Sequence, residues 1–157
     1  MDPKQLRSLF GRFATGVTVI STHDTKGNNY AMTVNSFSSV SLDPPLVMFC
    51  IIRESDTLKP IQDSGCFSVS MLSAEQQDLS NAMAKKGGPE KMNGVATFTA
   101  ETGAPLLEGN IGWLDCKLWN TYEGGDHLIL IGEVVDSGAP DEADPLLFFN
   151  GKYASLA

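Results

Sequence analysis

The chain has 157 residues, 42% of them hydrophobic and 19% charged, a globular balance long enough to bury a core in one domain spanning 1–157. Nineteen acidic residues against eleven basic ones leave a net charge of −8. That acidity excludes nucleic acid and anionic membrane as expected partners, because both demand basic surface.

Asp2-Pro3-Lys4-Gln5 reads as a helix start, with Asp2 as cap and Pro3 at the first helical position, where its missing N–H costs nothing. Leu6, Leu9, Phe10 and Phe13 then fall on one face. Thr15 to Thr22 is β-branched and predicts a strand, and the turn from Asp24 to Asn29 predicts a hairpin into the next one. No secretory signal opens the chain, and no apolar run approaches membrane-spanning length.

Tyr30 to Ser41 alternates as a strand and is unusually rich in small polar groups. Thr33, Asn35, Ser36, Ser38, Ser39 and Ser41 lie within nine positions with no charge among them. Such a surface suits a polar or anionic ligand held by neutral hydrogen bonds, although a solvated strand face would read the same way. Asp43-Pro44-Pro45 breaks the strand, and Leu46 to Ile52 is an apolar run that predicts a strand buried on both faces.

Further on, a short helix is expected from Thr57 with Pro60 in its first turn, then an alternating strand over Cys66–Leu72. Ser73-Ala74-Glu75-Gln76 fits a capping box for a helix whose inner face carries Leu79, Ala82 and Met83. Lys85 to Gly94 reads as a loop, Thr97–Ala100 as a short strand and Ala104–Leu107 as a connector. Ile111–Tyr122 and His127–Val135 form a long hairpin around Glu123-Gly124-Gly125-Asp126, and Pro145–Tyr153 a last strand. Many short strands with few helices give a mainly β fold, a β-barrel carrying helices at its ends.

The chemistry visible in the residues is sparse. There is no G-x-G-x-x-G after a strand, no P-loop and no G-x-S-x-G elbow, so Rossmann, phosphate-loop and triad chemistry are not indicated. Two histidines and three dispersed cysteines make no metal site. Cys50, Cys66 and Cys116 read instead as buried reduced thiols of a cytoplasmic protein. His23 reads as solvent-exposed. His127 follows Gly-Gly-Asp at a hairpin end, where it either reaches a ligand or simply bonds Asp126.

Four blocks carry a resemblance: F-G-R-F-A-T-G-V-T-V-I (10–20), M-T-V-N-S-F-S-S-V-S-L-D-P-P-L-V (32–47), G-G-D-H-L-I-L-I-G-E-V (124–134) and P-L-L-F-F-N-G-K-Y (145–153). In order and spacing they resemble the short-chain flavin reductase family. The resemblance implies an FMN-binding split β-barrel of Greek-key type, usually a homodimer. It also implies an NAD(P)H:flavin oxidoreductase that moves a hydride from nicotinamide C4 to flavin N5. FMN or FAD would be the flavin, NADH or NADPH the donor, and a separate monooxygenase a partner for the reduced product.

Carried over by residue, the resemblance places flavin on Thr33, Val34, Asn35 and Ser36, with Ser38 and Ser39 near the phosphate. Ile51, Ile52 and Arg53 would flank the ring, Ser55 and Thr57 the phosphate or adenine side, and Lys91 the phosphate. His127 and Tyr153 would meet the nicotinamide, with His127 positioning it and not acting as a base. No residue is assigned a catalytic proton transfer. Two departures stand out: Ser70 where relatives often have Asn, and Met92 at a commonly aromatic position. A flavin-binding electron-transfer protein, or a reductase of ferric iron or a rubredoxin-like acceptor, are the alternatives within the same barrel.

Overall fold

The computed structural model describes residues 1–140 and 142–157. Helix α1 (Pro3–Phe10) starts as expected, the Asp2 carboxylate accepting from Lys4 N–H at 3.0 Å. Its apolar face, however, finds little cover among the described residues: Leu9, Phe10 and Phe13 are 60%, 67% and 79% exposed. Strands β1 (Thr15–Gly16) and β2 (Thr18–His23) divide the first predicted strand at Val17. Strand β3 (Asn29–Val34) pairs with β2 in the expected hairpin.

The polar stretch is not one strand. It stops at Val34, bends through residues 35–37, and resumes as β4 (Ser38–Leu42), which pairs with β5 (Pro45–Ile52) across the proline break. Alternation continues across both pieces, which is why it reads as one strand in the sequence. Helix α2 (Leu58–Ser64), β6 (Cys66–Met71), a 3-10 turn (Ala74–Gln76) and α3 (Gln77–Ala84) follow. The Ser73–Gln76 capping box is present, with Ser73 N–H donating to Gln76 Oε1 at 3.0 Å. Another 3-10 turn (Pro89–Met92) leads to β7 (Thr97–Thr99), β8 (Pro105–Leu107), the long hairpin β9 (Gly112–Gly124) and β10 (His127–Gly138), and finally β11 (Leu147–Phe149) and β12 (Lys152–Ala154).

Seven strands make one antiparallel sheet in the order β3-β2-β6-β9-β10-β5-β4. Its two edges, β3 and β4, are neighbours in the chain. Six inter-strand steps would separate the edges of a flat sheet by roughly 29 Å. Three linking residues reach only about 14 Å. The sheet must therefore curl until its edges nearly meet, and it closes as a barrel with the corner 35–37 at the seam. One cluster fills the inside: Ile20, Phe49, Ile51, Phe67, Val69 and Leu130 are fully buried there, and the Phe49 and Phe67 rings meet edge to face at 5.0 Å. At Gly132 an added Cβ would collide with the Phe67 ring, so that position of β10 needs a hydrogen for a side chain.

A second cluster (Val19, Ala31, Leu72, Met83, Met92, Leu107) lies outside the barrel wall, where α3 and β8 cover β2 and β3. This second layer accounts for several departures from the sequence reading. Strand β6 is buried on both sides: the Ser68 hydroxyl donates to Pro105 C=O at 2.5 Å, and Ser70 Oγ accepts from Leu107 N–H at 3.0 Å. Residues 105–107 are thus a strand and not a connector. Leu46–Ile52, by contrast, is not buried on both faces; Val47, Phe49 and Ile51 point inward, while on the other side Leu46, Met48 and Cys50 are only half-buried and Ile52 is 44% exposed. The last segment is two strands, turned by Asn150 (φ 52°) and Gly151 (φ 74°), a left-handed pair suited to a two-residue hairpin. His23 is half-buried, Nε2 lying 3.5 Å from Cys66 Sγ, and Cys50 is half-buried whereas Cys66 and Cys116 are buried. Among the described residues, no helix is long and apolar enough to cross a membrane.

Candidate functional site

The site begins at the barrel seam. Cys50 lies where β5 runs past the start of β4, so its backbone groups have no strand partner on that side. Ser36 supplies the missing rung: its hydroxyl accepts from Cys50 N–H (3.0 Å) and donates to Cys50 C=O (3.2 Å). Three residues earlier, on β3, Thr33 Oγ1 donates to Ser80 C=O at 2.6 Å and ties α3 to the barrel edge. Between these two ties the chain turns. Among the described residues, the backbone N–H groups of Asn35, Ser36 and Phe37 donate to no backbone carbonyl.

Three cavities follow one another along this edge. The first, about 290 Å³, lies between Thr33, Ile52, Ser55, Thr57 and the end of α3, and is bordered by Lys85, Lys86 and Lys91. The second, about 390 Å³, is lined by Thr33, Val34, Asn35, Ser80, Phe148 and Tyr153. The third, about 650 Å³, is lined by Thr15, Thr18, Asn35, Ser36, Ser38 and Leu146 among others. Thr33 and Ala84 border the first and second, and Val17 and Asn35 border the second and third, so the three form one groove. Its floor is the polar stretch read from the sequence.

The groove is electrically uneven. Lys91 Nζ donates to Met83 C=O (3.1 Å) and Lys85 C=O (2.8 Å), placing a cation over the carbonyl end of α3. Burial lowers the Lys91 pKa, while the charges of Asp56 and Glu90 oppose that shift. At the other end there are only hydroxyls, amides and apolar walls. Free amides, neutral hydroxyls and a lysine cluster at one end suit an elongated ligand with a flat polar ring system and an anionic tail; the donor set fits a flavin phosphate ester.

Residues 10–157 match the family described as the flavin reductase like domain. The chain is 37% identical to a flavin reductase of Pseudomonas putida, over all of this chain and 92% of that one. It is 38% identical to the reductase subunit of a flavin-dependent monooxygenase of Mycobacterium tuberculosis, over 99% of this chain and 83% of that one. An NADH:FAD oxidoreductase of Streptomyces globisporus, solved in complex with NAD and FAD fragments, superposes with a TM-score of 0.92 at 36% identity, covering 100% of this chain and 96% of that one. The chain belongs to the flavin reductase-like family. It is an oxidoreductase of that family, built on the mainly β fold that the strand pattern indicated.

Of the residues expected to meet ligand in a flavin reductase-like chain, Thr33, Val34, Asn35, Ser36, Ser38, Ile52, Ser55, Thr57, Lys91 and Tyr153 all line the groove. Ser39 is exposed on β4 without lining it, and Ile51 is fully buried in the barrel core and does not line the groove. Arg53 reaches away to the tip of the β9–β10 hairpin, its Nε donating to Gly125 C=O at 3.0 Å and its guanidinium paired with Glu123. His127 stands opposite Ile52 across the β5–β10 ladder, at the rim of the first cavity. Its Nδ1 lies 2.7 Å from Asp126 Oδ1, and that hydrogen bond is the main cause holding the Asp126 pKa below its usual value. Tyr153 lines the middle cavity, Oη 2.7 Å from Ser80 Oγ and donating to Asn81 Oδ1 at 3.0 Å. Tyr153 therefore lines the middle of the groove, whereas His127 stands outside it, beside the rim residue Ile52.

Sequence reading did not single out Ser80, Phe148 or the Lys85-Lys86 pair as site residues. Ser80 had a signal: it stands three positions before Met83, on the buried face of α3. Lys85 and Lys86 were legible only as the chain's single basic pair. Of the two departures, Ser70 is bonded under β8, away from the groove, and Met92 fills the outer cluster.

Proposed function

We propose that the groove from Ser38 to Lys91 binds flavin and that a reduced pyridine nucleotide docks against it beside His127. The chain would then be an NAD(P)H-dependent flavin reductase passing reduced flavin to a separate monooxygenase. The single observation that carries this is the continuity of the groove along the polar seam: free amides at 35–37, hydroxyls on either side, three lysines at one end.

Bound flavin supplies the hydride-accepting chemistry, so the chain needs no nucleophile or strong base. Its own residues bind and orient. Backbone N–H groups of residues 35–37 act as fixed donors to a ring that gains negative charge on reduction. Lys85, Lys86 and Lys91 with Ser55 and Thr57 hold phosphate. The Asp126 carboxylate accepts from Nδ1–H of His127, which leaves Nε2 as the free face toward a nicotinamide carboxamide. The relative solved with NAD and FAD fragments supports FAD and NADH, with FMN and NADPH the other members of each class.

The exposed Leu9, Phe10 and Phe13 face of α1 supports pairing of two copies as a homodimer, and three free thiols support a reducing, cytoplasmic setting. The whole chain 1–157 works as one flavin reductase-like domain. The test is anaerobic: purified protein is mixed with FAD or FMN, then NADH or NADPH. Bleaching of the flavin band on adding nucleotide supports the reading. Flavin that binds and stays oxidised contradicts it.

A further inference from the structure

A fourth hollow, about 520 Å³, opens beyond the lysine end of the groove. It lies between the β2–β3 turn, the exposed face of α2 and the loop before the second 3-10 turn, and Tyr30, Asp24, Asn28, Lys59, Asp63 and Pro89 line it. Asp56 borders both this hollow and the first cavity, so a ligand can run from one into the other.

The two compartments differ in charge. The first has Lys85, Lys86 and Lys91 against Glu54 and Asp56, and attracts an anion. The hollow has Asp24, Asp56 and Asp63 against Lys26 and Lys59, and favours a neutral group that donates hydrogen bonds. It is also built. Asp24 Oδ1 accepts from Lys26 N–H (2.8 Å) and Asn28 N–H (2.9 Å), and Oδ2 accepts from Asn28 Nδ2 (2.9 Å) and the Tyr30 hydroxyl (3.5 Å). That fixes the Tyr30 ring between the turn and Gly88, where a Cβ would stand 3.9 Å from its Cε1. An aromatic wall with acceptors around it is what a purine nucleoside requires: a face to stack on, and partners for an amino group and two ribose hydroxyls.

We propose that the hollow lined by Tyr30, Asp24 and Asp63 holds the adenosine end of a dinucleotide whose phosphates lie along Lys85, Lys86 and Lys91. This deepens the flavin reductase reading and rests on it. Because the hollow continues the phosphate end of the flavin groove, FAD is the first source of that adenosine and NADH the second. Tyr30 then sets the preference for FAD over FMN, which lacks the nucleoside.

The experiment measures dissociation constants of FAD and FMN by fluorescence, with adenosine as competitor. Stacking on one aromatic ring gives FAD an advantage of about tenfold. Adenosine should displace FAD and leave FMN in place, a result that needs no variant. Tyr30→Ala should bring the two constants together, and Tyr30→Phe, which keeps the ring, should hold them apart. A second arm measures the KM for NADH with FMN as the flavin. A rise there in Tyr30→Ala, with the FAD-to-FMN ratio unmoved, assigns the same adenosine site to the nicotinamide dinucleotide. The proposal is overturned if FAD and FMN bind alike, adenosine displaces neither, and Tyr30→Ala leaves the NADH KM unchanged. Failure of both flavins to bind would instead overturn the flavin reading on which it rests.

Discussion

Ser36 offers a sharp distinction between holding the barrel and holding the ligand. Its hydroxyl occupies both backbone groups of Cys50, at 3.0 and 3.2 Å, and so stands in for a ladder rung at the seam. Ser36→Ala removes two hydrogen bonds and strands an amide in a half-buried position, at a cost of about 2 kcal/mol. For a domain of this size that lowers Tm by roughly 4–8 °C. Thermal and urea melts without flavin read this directly, and flavin affinity measured on the same samples should fall only modestly as the corner loosens. If the melts are unchanged while flavin affinity collapses, the hydroxyl faces the ligand and the seam argument is wrong.

Other predictions address the core, the rim and pH. Gly132→Ala pushes a methyl into the Phe67 ring and should destabilise by about 1–3 kcal/mol, seen as a lower urea midpoint; an unchanged midpoint would mean β10 is free to shift. His127→Ala should raise the NADH KM about tenfold, the loss of one good hydrogen bond, while flavin affinity stays near wild type because His127 sits outside the groove. Burial, and then the charge of Asp115, push the Cys116 thiol from 9.0 up to about 12. Below pH 9 both folded and unfolded chains keep that proton. From pH 9 toward 12 only the unfolded chain releases it, so stability falls by about 1.4 kcal/mol per pH unit, and Cys116→Ala should flatten that alkaline limb in melts across the range.

The local elements were legible wherever one residue pattern had one physical cause. Asp2-Pro3, the Ser73–Gln76 box and the Gly-Gly-Asp turn each fix their own backbone, and each is where its residues place it. What the sequence concealed was layering. Cys66–Leu72 reads only as an alternating strand because nothing local reveals that β8 lies over Ser68 and Ser70, and Ala104–Leu107 is too short to declare itself a strand until β7 pairs with it. The site divides in the same way. The polar run from Thr33 to Ser38 was visible, since small uncharged donors crowd few positions. Its partners Ser80 and Phe148 arrive from α3 and β11, distant in sequence, and only the fold brings them to the groove.

The central claim is that this groove is where flavin is bound and reduced. Its most direct test compares wild type with Ala84→Trp, since Ala84 is exposed at the end of α3 and borders both the first and second cavities. NADH oxidation is followed with and without added flavin, alongside a melt of each protein. The account predicts oxidation that depends on flavin in the wild type and falls by about tenfold or more in the variant, with melting unchanged, since a bulky ring then occupies the ligand's space. Full flavin-dependent turnover in Ala84→Trp would place the chemistry elsewhere, and oxidation that ignores added flavin in the wild type would contradict the account.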